Sequence, residues 1–207
     1  MQLSKEEKIN KEYYDRNALL WMKVKCSFDD HLKDFKEFRA LLAKGKVIDL
    51  GCGTGRDSQL FTLAGYEYTG ADLSEGMIDL AKKSFPDSTF QVMNLTDLKF
   101  EDECFDGIWS FAAYLHIPKG DIDHAIKEAN RVLKSGGIGY IVVKKGSKEC
   151  YLDSENGQRY WSFYGKSQFA RILENNGFNI LKSWEDKRDY NPPEDVSIYL
   201  CYFIQKT

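Results

Sequence analysis

Asp49, Gly51, Gly53, Gly55 and Asp72 are the residues of this chain best suited by type and spacing to chemistry. Three glycines at alternate positions follow a short apolar run, Lys46-Val47-Ile48-Asp49-Leu50. Glycine at an element end costs conformational entropy, so its repeated use marks a sharp turn or a close approach. Bare main chain at alternate positions lets a ligand press against it. A helix starting there would aim unpaired N–H groups into the same space, which favours an anionic group. Asp49, just ahead of the first glycine, suits a locally cationic ligand such as an amino-acid ammonium or a sulfonium. Asp72 ends a second strand-like run, where a carboxylate can take both hydroxyls of a ribose. The two acids and the glycine turn together describe a nucleoside joined to an amino acid. A dinucleotide needs G-x-G-x-x-G; this chain has G-x-G-x-G, which disfavours a dehydrogenase.

The elements that must hold these residues can be read from periodicity. Ser4-Lys5-Glu6-Glu7 fits a capping box, and Ile9, Tyr13, Leu20 and Trp21 follow as one stripe of a helix. Leu32, Phe35, Phe38 and Leu42 mark a second, so residues 1–45 read as a helical N-terminal extension. From residue 46 onward strands alternate with helices. KVIDL, YEYTGADL, STFQVMNL, FDGIWSFA and IGYIVVK read as strands. Helices are expected after Gly55, after Ser74, over 121–134 up to Ser135-Gly136-Gly137, and over 166–176 with Gly177 as its stop. FNILKSWEDK and VSIYLCYFI close the chain as strands without a helix between them, so that pair can be antiparallel. The expectation is a single α/β domain over 1–207: a Rossmann-like seven-stranded, mostly parallel sheet, the last strand antiparallel, helices on both faces. The cofactor-binding core spans 46–145, and 166–207 holds the C-terminal helix and strand pair. Residues 146–165, GSKECYLDSENGQRYWSFYG, are rich in aromatics, have no clear apolar period and read as a lid-like loop.

Composition narrows the function. Hydrophobic residues at 43% of 207 can build a core, and a net charge of −3 argues against a nucleic-acid partner. No run of about 18 apolar residues exists, so no membrane span is expected. Cys26, Cys52, Cys104, Cys150 and Cys201 are scattered and odd in number, which reads as reduced thiols in a cytoplasmic protein.

Asp49-Leu50-Gly51-Cys52-Gly53-Thr54-Gly55 resembles the first motif of the class I S-adenosylmethionine-dependent methyltransferases. GADLSEGMIDLAKK resembles their second, NLTDLKF…CFDGIWS the adenine loop and fourth strand, and RVLKSGGIGYIV the entry to the fifth. Tyr14-Asp15-Arg16-Asn17-Ala18, Trp109…Leu115-His116-Ile117-Pro118 and Arg159-Tyr160 resemble a narrower group of small bacterial-type methyltransferases. The resemblance implies S-adenosyl-L-methionine as cofactor and roles by position. Gly51, Gly53 and Gly55 would line its methionine moiety with Asp49 near the ammonium, and Asp72 would hold the ribose. Leu73 and Met77 would sandwich the adenine, Asn94 and Leu95 would meet its edge, Ser110 and Phe111 would flank the transferring methyl, and Tyr14 would cap the ligand with its hydroxyl.

His116, beside a strand end on the ligand side, is a candidate general base, or else a loop histidine bonded to backbone. His31 and His124 fall on helices and are expected to face solvent. Arg159, Tyr160, Trp161, Phe163 and Tyr164 form an aromatic cluster whose faces would suit an amine or a flat substrate; Tyr160 joins His116 as a catalytic candidate. The reading is a methyltransferase acting on a small molecule. The alternatives are a protein that binds the same nucleoside without turnover, and a methyltransferase for nucleic acid or protein. The latter would want an Asn-Pro-Pro-aromatic signature, and Asn191-Pro192-Pro193-Glu194 lacks the aromatic.

Overall fold

The computed structural model describes residues 3–23, 28–189 and 196–207; Cys26 and the run 191–194 lie outside the described residues. Helix α1 (Lys5–Lys23) begins at the expected capping box. Ser4 Oγ accepts from the Glu7 N–H at 3.1 Å, and Glu7 Oε2 accepts from the Ser4 N–H at 2.8 Å. Helix α2 (Phe28–Leu41) follows, then β1 (Lys46–Leu50), α3 (Ser58–Leu63), β2 (Glu67–Asp72), α4 (Glu75–Ser84), β3 (Thr89–Val92) and β4 (Phe105–Phe111). A 3-10 turn at Tyr114–His116 leads to α5 (Ile122–Val132) and β5 (Leu133–Lys144). The chain ends with β6 (Glu149–Ser154), β7 (Gly157–Ser162), α6 (Lys166–Asn175), β8 (Phe178–Asp189) and β9 (Val196–Lys206).

Seven strands form one sheet in the order β3-β2-β1-β4-β5-β9-β8. The first five run parallel, and β9 is antiparallel to both β5 and β8. Strand order therefore reverses between β1 and β4, and a crevice opens there at the carboxyl ends of the strands.

Alternation along β1 explains why both faces are covered. Ile48 and Leu50 pack into a cluster with Ile122, Ile126 and Leu173 from α5 and α6. Val47 joins Phe38, Phe61 and Ile78 from α2, α3 and α4 on the other face. Each fully buried Ile or Leu contributes roughly 1.5–3 kcal/mol, so this central strand is fixed in place by both layers.

Two boundaries differ from expectation. Leu133, read as the last apolar residue of a helix, instead pairs with Phe105 as the start of β5, and regular pairing resumes at Gly107↔Ile138. Residues 134–137 bulge between these points, with Gly136 at φ +74°. The lid-like loop is a β-hairpin: β6 and β7 pair antiparallel from Glu149↔Ser162 to Ser154↔Gly157. Its alternation is masked because the chain puts aromatic rings on both faces of β7. Among the described residues no helix is long and apolar enough to cross a membrane.

Candidate active site

A cavity of about 560 Å³ lies at the carboxyl ends of β1, β2 and β4, roofed by α1 and β7. That is the size and place expected of a ligand site in an open α/β sheet.

The glycine turn forms one wall. Gly53 has φ +55°, and a Cβ built on it would meet nothing within 4 Å. The space beside it is open cavity. Gly51, at φ +80°, is glycine for a different reason: a Cβ would stand 2.1 Å from that of Ala113. Gly55 does not line the cavity; its Cβ would strike the Phe90 ring at 2.6 Å, so it serves the packing of the turn against β3.

Asp72 sits opposite. Its Oδ2 accepts from the Gly53 N–H and its Oδ1 from the Ser74 N–H, both at 2.9 Å. Burial raises its carboxyl above the usual range, against the pull of these two donors. Asp49 also lines the cavity but is almost wholly buried, with Tyr68 Oη donating to its Oδ2 at 2.7 Å. Burial first, and the neighbouring Asp57 second, push its carboxyl well above the ordinary value.

Asp57 is a site residue that motif reading missed. Its Oδ2 accepts from His31 Nδ1 at 3.0 Å and Trp109 Nε1 at 2.9 Å, and its Oδ1 from Arg56 Nε at 3.3 Å. Despite burial, the adjacent His31 and Arg56 hold it far below the ordinary carboxylate range. His31, expected at the surface, is 1% exposed and packs against Phe111 with the rings tilted by 45° and their centres 4.4 Å apart; its partner Asp57 lies 26 residues away, so no local pattern announces it. His124 is exposed as expected.

Leu73, Met77, Asn94 and Leu95 line the far end. Asn94 donates to Glu7 Oε1 at 2.8 Å and accepts from the Thr96 N–H at 3.0 Å, so one end of its amide is bound to α1. Helix α1 is docked by a second acid. Asp15 Oδ1 accepts from Ser74 Oγ at 2.6 Å and from the Gly76 N–H at 3.0 Å, at the N-terminus of α4. Gly76 permits this approach, since a Cβ there would meet the Asp15 carbonyl oxygen at 2.7 Å.

The roof places Tyr14 and His116 together. His116 Nδ1 lies 2.9 Å from the Tyr160 carbonyl, so it carries the proton and donates. Nε2 then accepts from Tyr14 Oη at 2.7 Å. Enclosure lowers the imidazole to about 3 and pushes the Tyr14 phenol up to about 12. Asn10 binds the same peptide: Oδ1 accepts from the Tyr160 N–H at 2.8 Å, and Nδ2 donates to the Tyr160 and His116 carbonyls at 3.1 and 3.3 Å.

Two expected site residues point elsewhere. Ser110 is fully buried with Oγ donating to the Leu50 carbonyl at 2.8 Å and is not on the cavity wall, whereas Phe111 is. The Tyr160 side chain also lies off the wall, donating to Glu149 and contacting Ser162 Oγ at 3.0 Å. Strand alternation sends its neighbours Arg159 and Trp161 into the cavity instead.

A family model for the methyltransferase domain matches residues 47–137. The putative methyltransferase YqeM of Bacillus subtilis is 34% identical over 154 residues, which is 68% of this chain and 62% of YqeM, so the chain spans under two thirds of that relative. A ubiquinone biosynthesis O-methyltransferase of Coxiella burnetii is 30% identical over 186 residues, 79% of each chain. This chain belongs to the class I S-adenosylmethionine-dependent methyltransferases. The same fold occurs in the Burkholderia thailandensis 1,6-didemethyltoxoflavin-N1-methyltransferase, solved with bound 1,6-didemethyltoxoflavin and S-adenosylhomocysteine: TM-score 0.70, 19% identity, 100% of this chain and 92% of that one. The methyltransferase domain match ends at residue 137, so α1 and β7, which roof the cavity with Tyr14, Trp21, Arg159 and Trp161, lie outside it.

Proposed function

We propose that this methyltransferase transfers a methyl group from S-adenosyl-L-methionine to a small-molecule acceptor in the cytoplasm. One observation carries the reading: Asp72 is fixed by the Gly53 and Ser74 N–H groups on a cavity wall beside the open face of Gly53. A carboxylate has about four lone-pair sites, and these two donors leave two for a ribose diol. Leu73 and Met77 would flank the adenine, and Asn94 and Leu95 its edge. Gly51, Gly53 and the Asp49 carboxylate would receive the methionine portion.

When bound, the donor supplies a methyl carbon on a positively charged sulfur. The chain's own part is to align and to exclude water. Tyr14 and Phe111 line the cavity between the glycine turn and the roof. His116, bonded at both ring nitrogens, acts as a positioning residue that holds the Tyr14 hydroxyl toward the cavity. The four described cysteines are free, which agrees with a reducing compartment.

Calorimetry with S-adenosylmethionine, S-adenosylhomocysteine and NAD tests the donor assignment. Binding of the first two and silence with NAD is expected; the reverse would end it. Transfer of labelled methyl to members of a metabolite panel is the matching activity test.

A further inference from the structure

We infer that the roof end of the cavity is an anion-recognition subsite, and that the methyl acceptor is a flat molecule whose carboxylate is held by Arg159 beside the Trp161 indole. The assignment of this ligand as the acceptor rests on the methyltransferase reading above.

Arg159 lies among three rings. Its guanidinium carbon is 4.8 Å from the Tyr13 centroid, 4.8 Å from that of Trp161 and 5.4 Å from that of Trp21. No carboxylate of the described residues forms an ion pair with it. A guanidinium packed on aromatic faces is held by its π surface; part of its fork meets the Tyr14 hydroxyl, and the remaining N–H groups are left for a carboxylate. Lys144 packs on the same indole, with Nζ 4.4 Å from the Trp161 centroid.

Two further donors ask for an acceptor. Trp21 Nε1 and Trp161 Nε1 are both buried without a hydrogen-bond partner, and both residues line the cavity. Trp161 is 6% exposed, and buried N–H groups are almost always paired. The acids of the cavity are committed elsewhere: Glu7 to Ser4 and Asn94, Asp49 to Tyr68, Asp57 to His31 and Trp109, and Asp72 to Gly53 and Ser74.

Aromatic faces alone suggest an amine, the expectation from the sequence. Here the indole face already carries the chain's own Arg159, and a further positive charge beside it would be repelled. Phe111 and Tyr199, both on the cavity wall, stack at 5.9 Å with an interplanar angle of 30°, so the wall offers aromatic faces to a planar body.

The test uses the full chain saturated with S-adenosylhomocysteine and three probes: benzoate, benzylamine and benzyl alcohol. Tryptophan fluorescence and saturation-transfer NMR read binding directly. Benzoate is expected to bind at least tenfold more tightly than the other two. Arg159→Gln should weaken benzoate at least tenfold and leave S-adenosylhomocysteine within twofold of wild type. Trp161→Phe keeps the ring, removes the N–H, and should weaken benzoate severalfold, which secures the test should Arg159→Gln misfold. Equal binding of benzylamine and benzoate would overturn the proposal. So would an Arg159→Gln protein that loses S-adenosylhomocysteine and keeps benzoate, because Arg159 would then belong to the donor site. A wild-type chain that binds benzoate but ignores S-adenosylhomocysteine would remove the methyltransferase reading and retain the anion subsite.

Discussion

Gly53 donates its N–H to Asp72 Oδ2 at 2.9 Å, joining the first strand-to-helix turn to the end of the neighbouring strand. This bond fixes the carboxylate before any ligand arrives. Asp72→Ala should weaken S-adenosylmethionine by about 1.5–3 kcal/mol, the scale of hydrogen bonds to a charged group. Calorimetry reads the loss, and an unchanged circular dichroism spectrum shows that the fold persists. Wild-type affinity in the folded variant would refute the ribose assignment.

The two glycines of the turn should separate stability from binding. Gly51→Ala puts a methyl 2.1 Å from the Ala113 Cβ and should lower the melting temperature markedly. Gly53→Ala meets no protein atom within 4 Å, so its folding cost is limited to the strain of φ +55°, roughly 1 kcal/mol. Its added methyl should instead cost donor affinity. Thermal melts with and without S-adenosylhomocysteine distinguish the two.

Asp49 predicts opposite effects on stability and on binding. Its carboxyl is raised in the fold by burial and by Asp57. A raised acid contributes stability that is present below its unfolded value of about 3.9 and lost as pH rises through the folded value. Asp49→Asn should therefore melt higher than wild type at neutral pH, and the gap should close toward pH 3. The ammonium of the donor favours the ionised acid, so wild-type affinity should fall as pH is lowered and binding should release protons. Calorimetry in buffers of different ionisation enthalpy counts them.

His116 makes a negative prediction for rate and a positive one for stability. With its imidazole held near 3, it stays neutral from pH 5 to 8 and should give no inflection in kcat/KM across that range. An inflection near 6.5 that His116→Gln abolishes would make it a base instead. A histidine depressed by folding contributes stability above its unfolded value of about 6.5, and that stability declines as pH falls toward 3. His116→Gln should flatten part of this acid-side loss in urea titrations.

Asp15 links the roof to the donor wall. Asp15→Ala removes the acceptor for Ser74 Oγ and the Gly76 N–H and should cost about 0.5–2 kcal/mol, as for loss of a helix cap. Hydrogen exchange should quicken in α1 before it does in β1.

Much of the glycine-turn end of the cavity was legible because its geometry is local. The capping box at Ser4–Glu7, the glycine turn and Asp72 each declare themselves within a few residues. What was hidden depends on partners far along the chain. His31 needs Asp57 to be buried, and nothing in the helix period of α2 reveals that. Tyr160 and Arg159 differ by one residue in β7, and a one-residue slip of register exchanges the faces of a strand. That register is set by β6 and by Asn10, which is 150 residues from Tyr160. The hairpin carries rings on both sides, so its alternation of burial is not an alternation of residue type.

The amide of Asn10 clasps the peptide of Tyr160 as a neighbouring strand would, and also reaches the His116 carbonyl. The covering over Asp72 and the wall that bears Arg159 are thereby joined as one piece rather than two. A methyl donor and its recipient must then pass the same doorway in turn, the deeper guest first in and last out. Steady-state kinetics of such an enzyme would follow a compulsory order, with the demethylated product competing only against fresh donor.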